Sequence, residues 1–229
     1  MSAPSSSDGT VELPTLVDSS RVREMPTTQR GIRTREALVA AARRVFERDG
    51  FINSRLTDIT AEAKCSIGTF YTYFDSKEEI FTAVMQAAAD DMLHPGLPRV
   101  DDDISNVAAI LEASNRAYVE AYKRNAKLNL LLEQVATIDP DFRRLRIARG
   151  AAFAERNARW IKRLQDAGYA DPDLDPVMTA RALSPMLGRM AYHAYALEEA
   201  WTDDDAIVRT ATQVWLNALG VPKDGSRRG

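Results

Sequence analysis

The sequence has few of the residues on which most catalytic and metal sites depend. Its 229 residues include one cysteine and two histidines. The single cysteine, Cys65, excludes a disulfide within the chain, and neither His94 nor His193 has a second histidine or cysteine at helical metal-site spacing. Glycine-rich phosphate loops and nucleophile-elbow motifs are missing too. We therefore expect no catalytic residues, no metal and no cofactor, and a helical enzyme is the weakest hypothesis for this chain.

Long apolar runs and a leader pattern are missing as well. No run approaches the roughly 20 apolar residues that a membrane span needs. The first ten residues, MSAPSSSDGT, lack the basic and apolar pattern of a secretion signal. We therefore expect a cytoplasmic protein without a membrane partner. Hydrophobic residues still make up 45% of the chain, which is enough for a packed core.

The net charge of −3 conceals an uneven distribution. Residues 21–77 contain eleven Lys and Arg against seven Asp and Glu, so this segment carries +4 and the rest of the chain −7. A basic segment on an acidic body can be steered onto DNA with the basic end first. Residues 1–28 are rich in Ser, Pro and Thr, and we expect a disordered arm with a basic end. This arm either tracks phosphates and the minor groove or is an ordinary solvated tail.

The apolar residues in the rest of the chain follow the period of a helix. Nothing alternates with period 2, so we expect no strands. The pattern predicts an all-α fold of about nine helices, with an N-terminal three-helix helix-turn-helix head on a larger C-terminal helical bundle. A Pro-, Gly- and Asp-rich connector, residues 95–103, separates the two parts. The predicted helices span residues 34–49, 56–63, 66–74, 76–92, 104–124, 126–137, 141–167, 176–201 and 203–219.

Residues 56–77, LTDITAEAKCSIGTFYTYFDSK, are the most informative segment. They predict a short helix, a three-residue turn, and a second short helix for which Ser66 is a suitable N-cap. Ile67, Phe70 and Phe74 form an expected buried stripe on this second helix. Its other face presents small residues, hydroxyls and tyrosines, which suit close approach to phosphates and base edges in a major groove. This is the layout of a helix-turn-helix.

Residues 57–63 and 66–77 resemble the DNA-binding domain of the tetracycline-repressor (TetR) family of transcriptional regulators. The resemblance extends upstream through residues 34–51 and fades after about Met92. The sequence departs from the family at Lys64, where a glycine is usual in the turn, and a left-handed backbone is costlier for lysine. The resemblance implies a homodimeric, ligand-responsive regulator, and we expect a repressor that a small apolar effector releases from a palindromic double-stranded DNA operator.

The resemblance also implies which residues contact DNA. By it, Thr57 and Lys77 contact phosphate from the ends of neighbouring helices. Tyr71 and Tyr73 contact phosphates and thymine methyls, or alternatively only pack the head. Arg55 is a further candidate because of its charge, although it could be an ordinary exposed arginine. The predicted DNA-binding residues are Arg55, Thr57, Ser66, Ile67, Gly68, Thr69, Tyr71, Tyr73 and Lys77.

The C-terminal part of the sequence contains methionines and aromatic residues interspersed with a few polar side chains. Such a mixture suits an adaptable apolar cavity. For any one of these residues, packing in the bundle core is the better interpretation. As a set, in a chain that resembles this family, they predict an effector pocket. The expected ligand-binding residues are Tyr118, Tyr122, Leu131, Gln134, Phe153, Met186, Met190 and His193.

The last two predicted helices, residues 176–201 and 203–219, have broad apolar faces. Core packing explains most of this width, and the resemblance implies a four-helix homodimer interface for the rest. We therefore expect a disordered basic-ended arm at 1–28, a helix-turn-helix DNA-binding domain at 29–76, a ligand-binding and dimerisation domain at 77–222, and a disordered tail at 223–229. The alternative function is a helical small-molecule-binding protein without specific DNA binding.

Overall fold

The computed structural model describes residues 26–93, 106–197, 203–222 and 226–227. These ranges contain helices and no strands, which confirms the predicted all-α fold of nine helices. The predicted connector and most of the predicted arm and tail lie outside the described residues. The helices are α1 (Gln29–Asn53), α2 (Leu56–Glu62), α3 (Ile67–Tyr73), α4 (Lys77–Leu93), α5 (Val107–Arg124), α6 (Ala126–Ile138), α7 (Pro140–Asp166), α8 (Pro176–Ala191) and α9 (Asp204–Leu219).

Short polar residues mark the starts of the C-terminal helices. Asp139 directly precedes Pro140, the first residue of α7, and its carboxylate accepts a hydrogen bond from the backbone N–H of Asp141 at 2.7 Å. Asp175 does the same for Met178 at 2.8 Å at the start of α8. These caps satisfy backbone donors that have no partner within the helix. The predicted starts of α7, α8 and α9 are therefore confirmed to within one residue.

Two helices differ from the expectation. The first helix begins at Gln29 rather than near residue 34, because the Thr28 hydroxyl caps it by accepting from Gly31 N at 3.1 Å. The predicted stop at Gly50 appears as a break, with φ of 76° and ψ of 169°, after which a further helical turn runs to Asn53. The eighth helix ends at Ala191 and continues as a π-helical turn, Tyr192–Ala196, that packs against α6 and α8.

One hydrophobic core joins the N-terminal helices to the bundle. We call α1–α3 the head and α4–α9 the body. Phe81 of α4 is wholly buried, and its ring centre lies 5.1 Å from Phe46 and 4.7 Å from Phe51, both on α1. Its third neighbour is Phe142 at the start of α7, at 5.1 Å. The same core includes Leu128 of α6. A displacement of α6 or α7 would therefore be transmitted to α1 through direct packing.

The rest of the body is a bundle of α5, α7, α8 and α9. A buried hydrogen bond crosses it, from Asn115 Nδ2 on α5 to the Thr212 hydroxyl on α9 at 3.0 Å. This bond fixes the register between the two helices, because a buried amide without an acceptor would be costly. Within the described ranges, no helix combines the length and apolar character that crossing a membrane requires.

Candidate functional site

A Schellman motif closes the turn between α2 and α3. Cys65 N donates to Thr60 O at 3.0 Å, and Lys64 N donates to Ala61 O at 3.1 Å. The motif requires a left-handed residue after the helix, and Lys64 takes this conformation with φ of 54°. A side chain here costs about 1 kcal/mol relative to glycine. The departure from glycine is therefore accommodated, and the turn keeps its geometry.

The tip of α3 is exposed and capped. The Ser66 hydroxyl accepts from Thr69 N at 3.1 Å and lies 3.0 Å from the Thr69 hydroxyl, which confirms the predicted N-cap. Ser66, Ile67 and Gly68 are all exposed. The expectation that Ile67 belongs to the buried stripe is wrong, since its side chain is 44% exposed. As the first residue of a seven-residue helix, it extends beyond the core that encloses the rest of the stripe.

Two phenylalanines fix α3 to the head. Phe70 and Phe74 are buried, with ring centres 5.8 Å apart. The Arg35 guanidinium of α1 lies 5.1 Å from the centre of the Phe74 ring. Partial burial lowers the pKa of this guanidinium. Tyr73 is half-buried against this core, whereas Tyr71 is 48% exposed. The helix is therefore held rigidly from one side while its tip and Tyr71 remain accessible.

The Lys77 ammonium is bound by the end of α1. Its Nζ donates to the backbone oxygens of Phe51 at 2.7 Å and Ser54 at 3.0 Å, with Ile52 O at 3.4 Å. It also lies 4.6 Å from the centre of the Phe51 ring. A lysine has three donors, so these carbonyls can use all of them. The contact of Lys77 with phosphate stays a prediction, and in the free protein this side chain joins the start of α4 to the end of α1.

Arg55 and Thr57 are exposed at the start of α2. The Asp58 carboxylate accepts from Arg55 N at 3.0 Å and so caps this helix. An ion pair between Arg44 Nε and Glu62 Oε1, at 2.6 Å, joins α1 to the end of α2. Such exposed pairs contribute only about 0–1 kcal/mol, so the buried core rather than these charges positions α2.

Several of the predicted effector residues come together between α5, α7 and α8. The Tyr118 ring lies 5.9 Å from Phe153 in a perpendicular arrangement and 6.0 Å from Tyr122. Met186 and Met190 pack in the same region as Tyr118. Burial raises the pKa of Tyr118 to about 12 and raises the pKa of Tyr122 as well, so both hydroxyls are neutral donors at physiological pH.

The remaining predicted effector residues lie elsewhere. Leu131 and Gln134 line a cleft of about 270 Å³ between α1 and α6, together with Tyr195 of the π-helical turn. Gln134 is exposed there. His193 lies in the π-helical turn with its ring 5.8 Å from that of Tyr192. The structure therefore separates the predicted set into three places. They are a tyrosine cluster inside the body (Tyr118, Tyr122, Phe153, Met186 and Met190), a cleft beside the head (Leu131 and Gln134), and the π-helical turn (His193).

Two arginines of α7 lie beside the tyrosine cluster, and the sequence did not single them out. Arg149 and Arg156 are seven residues, or two helical turns, apart and share a face with Phe153. The Arg156 guanidinium carbon lies 4.7 Å from the centre of the Phe153 ring. Burial lowers the pKa of both guanidinium groups, that of Arg156 to about 10. The only sequence signal is this alternation of cation, aromatic and cation along one helix face.

The polar atoms of these arginines are partly enclosed. One nitrogen of each guanidinium, Nη1 of Arg149 and Nε of Arg156, is buried without a hydrogen-bond acceptor, although each side chain makes other contacts. Tyr118 acts electrostatically on both guanidinium groups. On α8, a Cβ added to Gly188 would lie 3.0 Å from the Tyr118 hydroxyl, so Gly188 leaves room for that oxygen.

Sequence comparison finds similarity to bacterial transcriptional regulators. Residues 38–84 match the family model described as bacterial regulatory proteins, tetR family. The chain is 24% identical over 187 residues to the HTH-type transcriptional regulator EthR of Mycolicibacterium smegmatis, covering 80% of this chain and 84% of that protein. It is 39% identical over 79 residues to the HTH-type nicotine-responsive transcriptional repressor HdnoR of Paenarthrobacter nicotinovorans, covering 33% of this chain and 39% of that one.

Comparison of folds extends the likeness over most of the chain. A TetR-like transcriptional regulator from Rhodococcus sp. RHA1 superposes with a TM-score of 0.63 at 20% identity, covering 82% of this chain and 96% of that one. At this identity the likeness shows the fold alone. The family model covers the helix-turn-helix, and the fold likeness reaches into the body.

Proposed function

We propose that this chain works as a TetR-family transcriptional repressor, cytoplasmic and non-enzymatic, which a small molecule releases from DNA. The observation that carries this proposal is the recognition helix α3. Its buried Phe70 and Phe74 fix it to the head, and its exposed tip presents Ser66, Ile67 and Gly68. A rigid helix with an accessible N-terminal tip is what major-groove reading requires.

The exposed residues of α2 and α3 divide into two roles. We assign Arg55, Thr57 and Tyr71 to phosphate and sugar contacts, which fix the position of the head on the duplex. Base reading falls to the tip of α3, where Gly68 allows the backbone to approach closely and Thr69 offers a hydroxyl. Tyr73 is half-buried, so that only part of its ring is available to DNA.

The division into domains follows from these assignments. We propose residues 29–76 as the DNA-binding domain and residues 77–222 as the domain that binds the effector and forms the dimer. The dimer interface would involve α8 and α9, which expose Val177, Met178 and Val214, with Met178 62% exposed. Two heads in such a dimer would read half-sites roughly 34–36 Å apart in successive major grooves.

The effector would act by favouring one of two arrangements of the heads. A ligand shifts this balance only as far as it binds one arrangement more tightly than the other. The shared core supports a route for this coupling, because Phe81 of α4 packs on α1 and on the start of α7. Movement of α7 around a ligand would thereby displace α4 and change the spacing of the recognition helices.

Thr69→Ala tests the base-reading role of the α3 tip. We expect operator affinity to fall by about 1–2 kcal/mol, roughly five- to thirtyfold, while binding to unrelated DNA is unchanged, because base contacts and not phosphate contacts are lost. Fluorescence anisotropy on both DNAs measures this. Thr82→Ala is the matched control, since Thr82 lies on α4 and its hydroxyl donates to Glu78 O at 2.9 Å. An equal loss on both DNAs would contradict the assignment.

A further inference from the structure

We propose that Ile67 makes the protein select a thymine in each half-site of its operator, by packing against the C5-methyl group of that base. Ile67 is the first residue of α3, and its side chain is 44% exposed at the tip of this helix. This inference rests on the proposed function, because it names the base that the recognition helix selects and the chemical group by which it does so.

The composition of α3 leaves the helix few ways to distinguish bases. In a major groove, arginine and lysine read guanine, asparagine and glutamine read adenine, and acidic side chains read cytosine. None of these residue types occurs between Ser66 and Tyr73, and the nearest ones, Lys64 and Asp75, lie in the connections on either side of α3. Recognition by α3 therefore depends on hydroxyl groups and on apolar contacts.

The hydroxyl groups of α3 distinguish bases poorly. Ser66 Oγ and Thr69 Oγ1 lie 3.0 Å apart and share a hydrogen bond. The Thr72 hydroxyl donates to Gly68 O at 3.1 Å. A hydroxyl can both donate and accept, so it pairs with any base that offers either function. The contact that α3 can make with one base alone is therefore apolar, because thymine is the standard base that carries a methyl group on its major-groove edge.

Ile67 and Tyr71 form one exposed apolar strip on α3. They are four residues apart, which places them on the same face of a helix, and they are 44% and 48% exposed. A single exposed isoleucine has no special meaning on a protein surface, but here two large apolar side chains are adjacent on the recognition helix. The Tyr71 ring lies 5.6 Å from that of the buried Phe70, so the strip is anchored to the core of the head.

Gly68 leaves space for a base beside Ile67. A Cβ added at Gly68 would lie 3.7 Å from Ser66 Oγ, which is an ordinary contact, and Gly68 does not have a positive φ. Among the described residues, neither packing nor backbone conformation therefore requires glycine at this position. The missing side chain instead allows the tip of α3 to come close enough to a base for its methyl group to reach Ile67.

Replacement of thymine by uracil tests this proposal, because deoxyuridine lacks only the methyl group and pairs as thymidine does. Each thymine of the operator is replaced in turn, in both half-sites together, and the affinity of the full-length protein is measured by fluorescence anisotropy. We expect one position at which uracil weakens binding by about fourfold for each buried methyl group, and so by roughly fifteenfold when both half-sites are changed. In Ile67→Ala this position should tolerate uracil. The effect should persist in the control Ile138→Ala, which removes an exposed isoleucine of α6.

Comparison of the thymine and uracil operators in each variant separates base reading from a structural role. If Ile67 only stabilises the head, Ile67→Ala weakens binding to both operators equally, the uracil effect survives, and the proposal is overturned. Ile67→Val retains most of the apolar side chain and should keep the uracil effect. Wild-type binding that is unaffected by uracil at every position would also overturn the proposal.

The same titrations report on the proposed function separately. A protein that prefers its operator over other DNA but tolerates uracil throughout would overturn only this inference. A protein that binds every DNA fragment equally would overturn the proposed function, and this inference with it.

Discussion

Phe81→Ala is expected to lower the free energy of unfolding by about 3–5 kcal/mol, the largest effect of any single substitution considered. Phe81 is wholly buried, and its ring lies within about 5 Å of Phe46, Phe51 and Phe142. Its removal leaves a cavity where the head, α4 and the start of α7 meet. Thermal unfolding followed by circular dichroism should show the melting temperature falling by about 6–15 °C.

Two control variants show whether the loss of stability is specific to the place where the head, α4 and the start of α7 meet. Phe81→Leu keeps an apolar side chain in the site and should cost about 1.5 kcal/mol or less. Ile138→Ala removes an apolar side chain that is 66% exposed, and it should change stability by no more than about 0.5 kcal/mol. A surface substitution is expected to shift the melting temperature by roughly 2 °C or less. If Phe81→Ala shifted it no further than this, the aromatic cluster would not hold head and body together.

Lys77→Met is expected to destabilise the head by about 2–3 kcal/mol, because it removes charged donors from partly buried carbonyls. The Lys77 ammonium donates to Phe51 O at 2.7 Å and to Ser54 O at 3.0 Å. Urea unfolding measures this loss, and Lys162→Met, which removes an exposed lysine of α7, should have little effect. Unchanged stability in Lys77→Met would show that these carbonyls do not depend on the ammonium.

The salt dependence of DNA binding then distinguishes the two roles of Lys77. If the ammonium moves to a phosphate in the complex, Lys77→Met lowers the salt slope by about one unit. If it remains on the carbonyls of α1, DNA affinity falls with the slope unchanged, and Lys77 is a positioning residue. Both results are read from the same anisotropy titration in several salt concentrations.

Local interactions explain which parts of the structure the sequence predicted. The Ser66 cap and the anchors Phe70 and Phe74 depend on residues within one or two helical turns, and all three were recognisable from spacing. Ile67 repeats at the same spacing but is exposed, because burial depends on where the core ends. The π-helical turn Tyr192–Ala196 has no local signal either, since it arises in packing against α6 and α8.

The candidate effector site was only partly predictable for a related reason. Methionines and aromatic residues are expected in any helical core, so their presence indicates apolar surroundings without separating the tyrosine cluster from the cleft at Gln134. Arg149 and Arg156 were missed because arginine is usually exposed. Their partial burial depends on the elements that pack around α7, and the sequence of α7 alone does not contain that information.

The proposed repressor function requires that this protein recognises one DNA sequence over others. Fluorescence anisotropy of the purified protein on labelled fragments tiled across the region upstream of its own gene, in two salt concentrations, tests it most directly. We expect tight, salt-sensitive binding to one fragment over its neighbours. Weak and equal binding to every fragment, together with no enrichment when the protein selects from fragments of the whole genome, would contradict it and favour a small-molecule-binding protein without specific DNA binding.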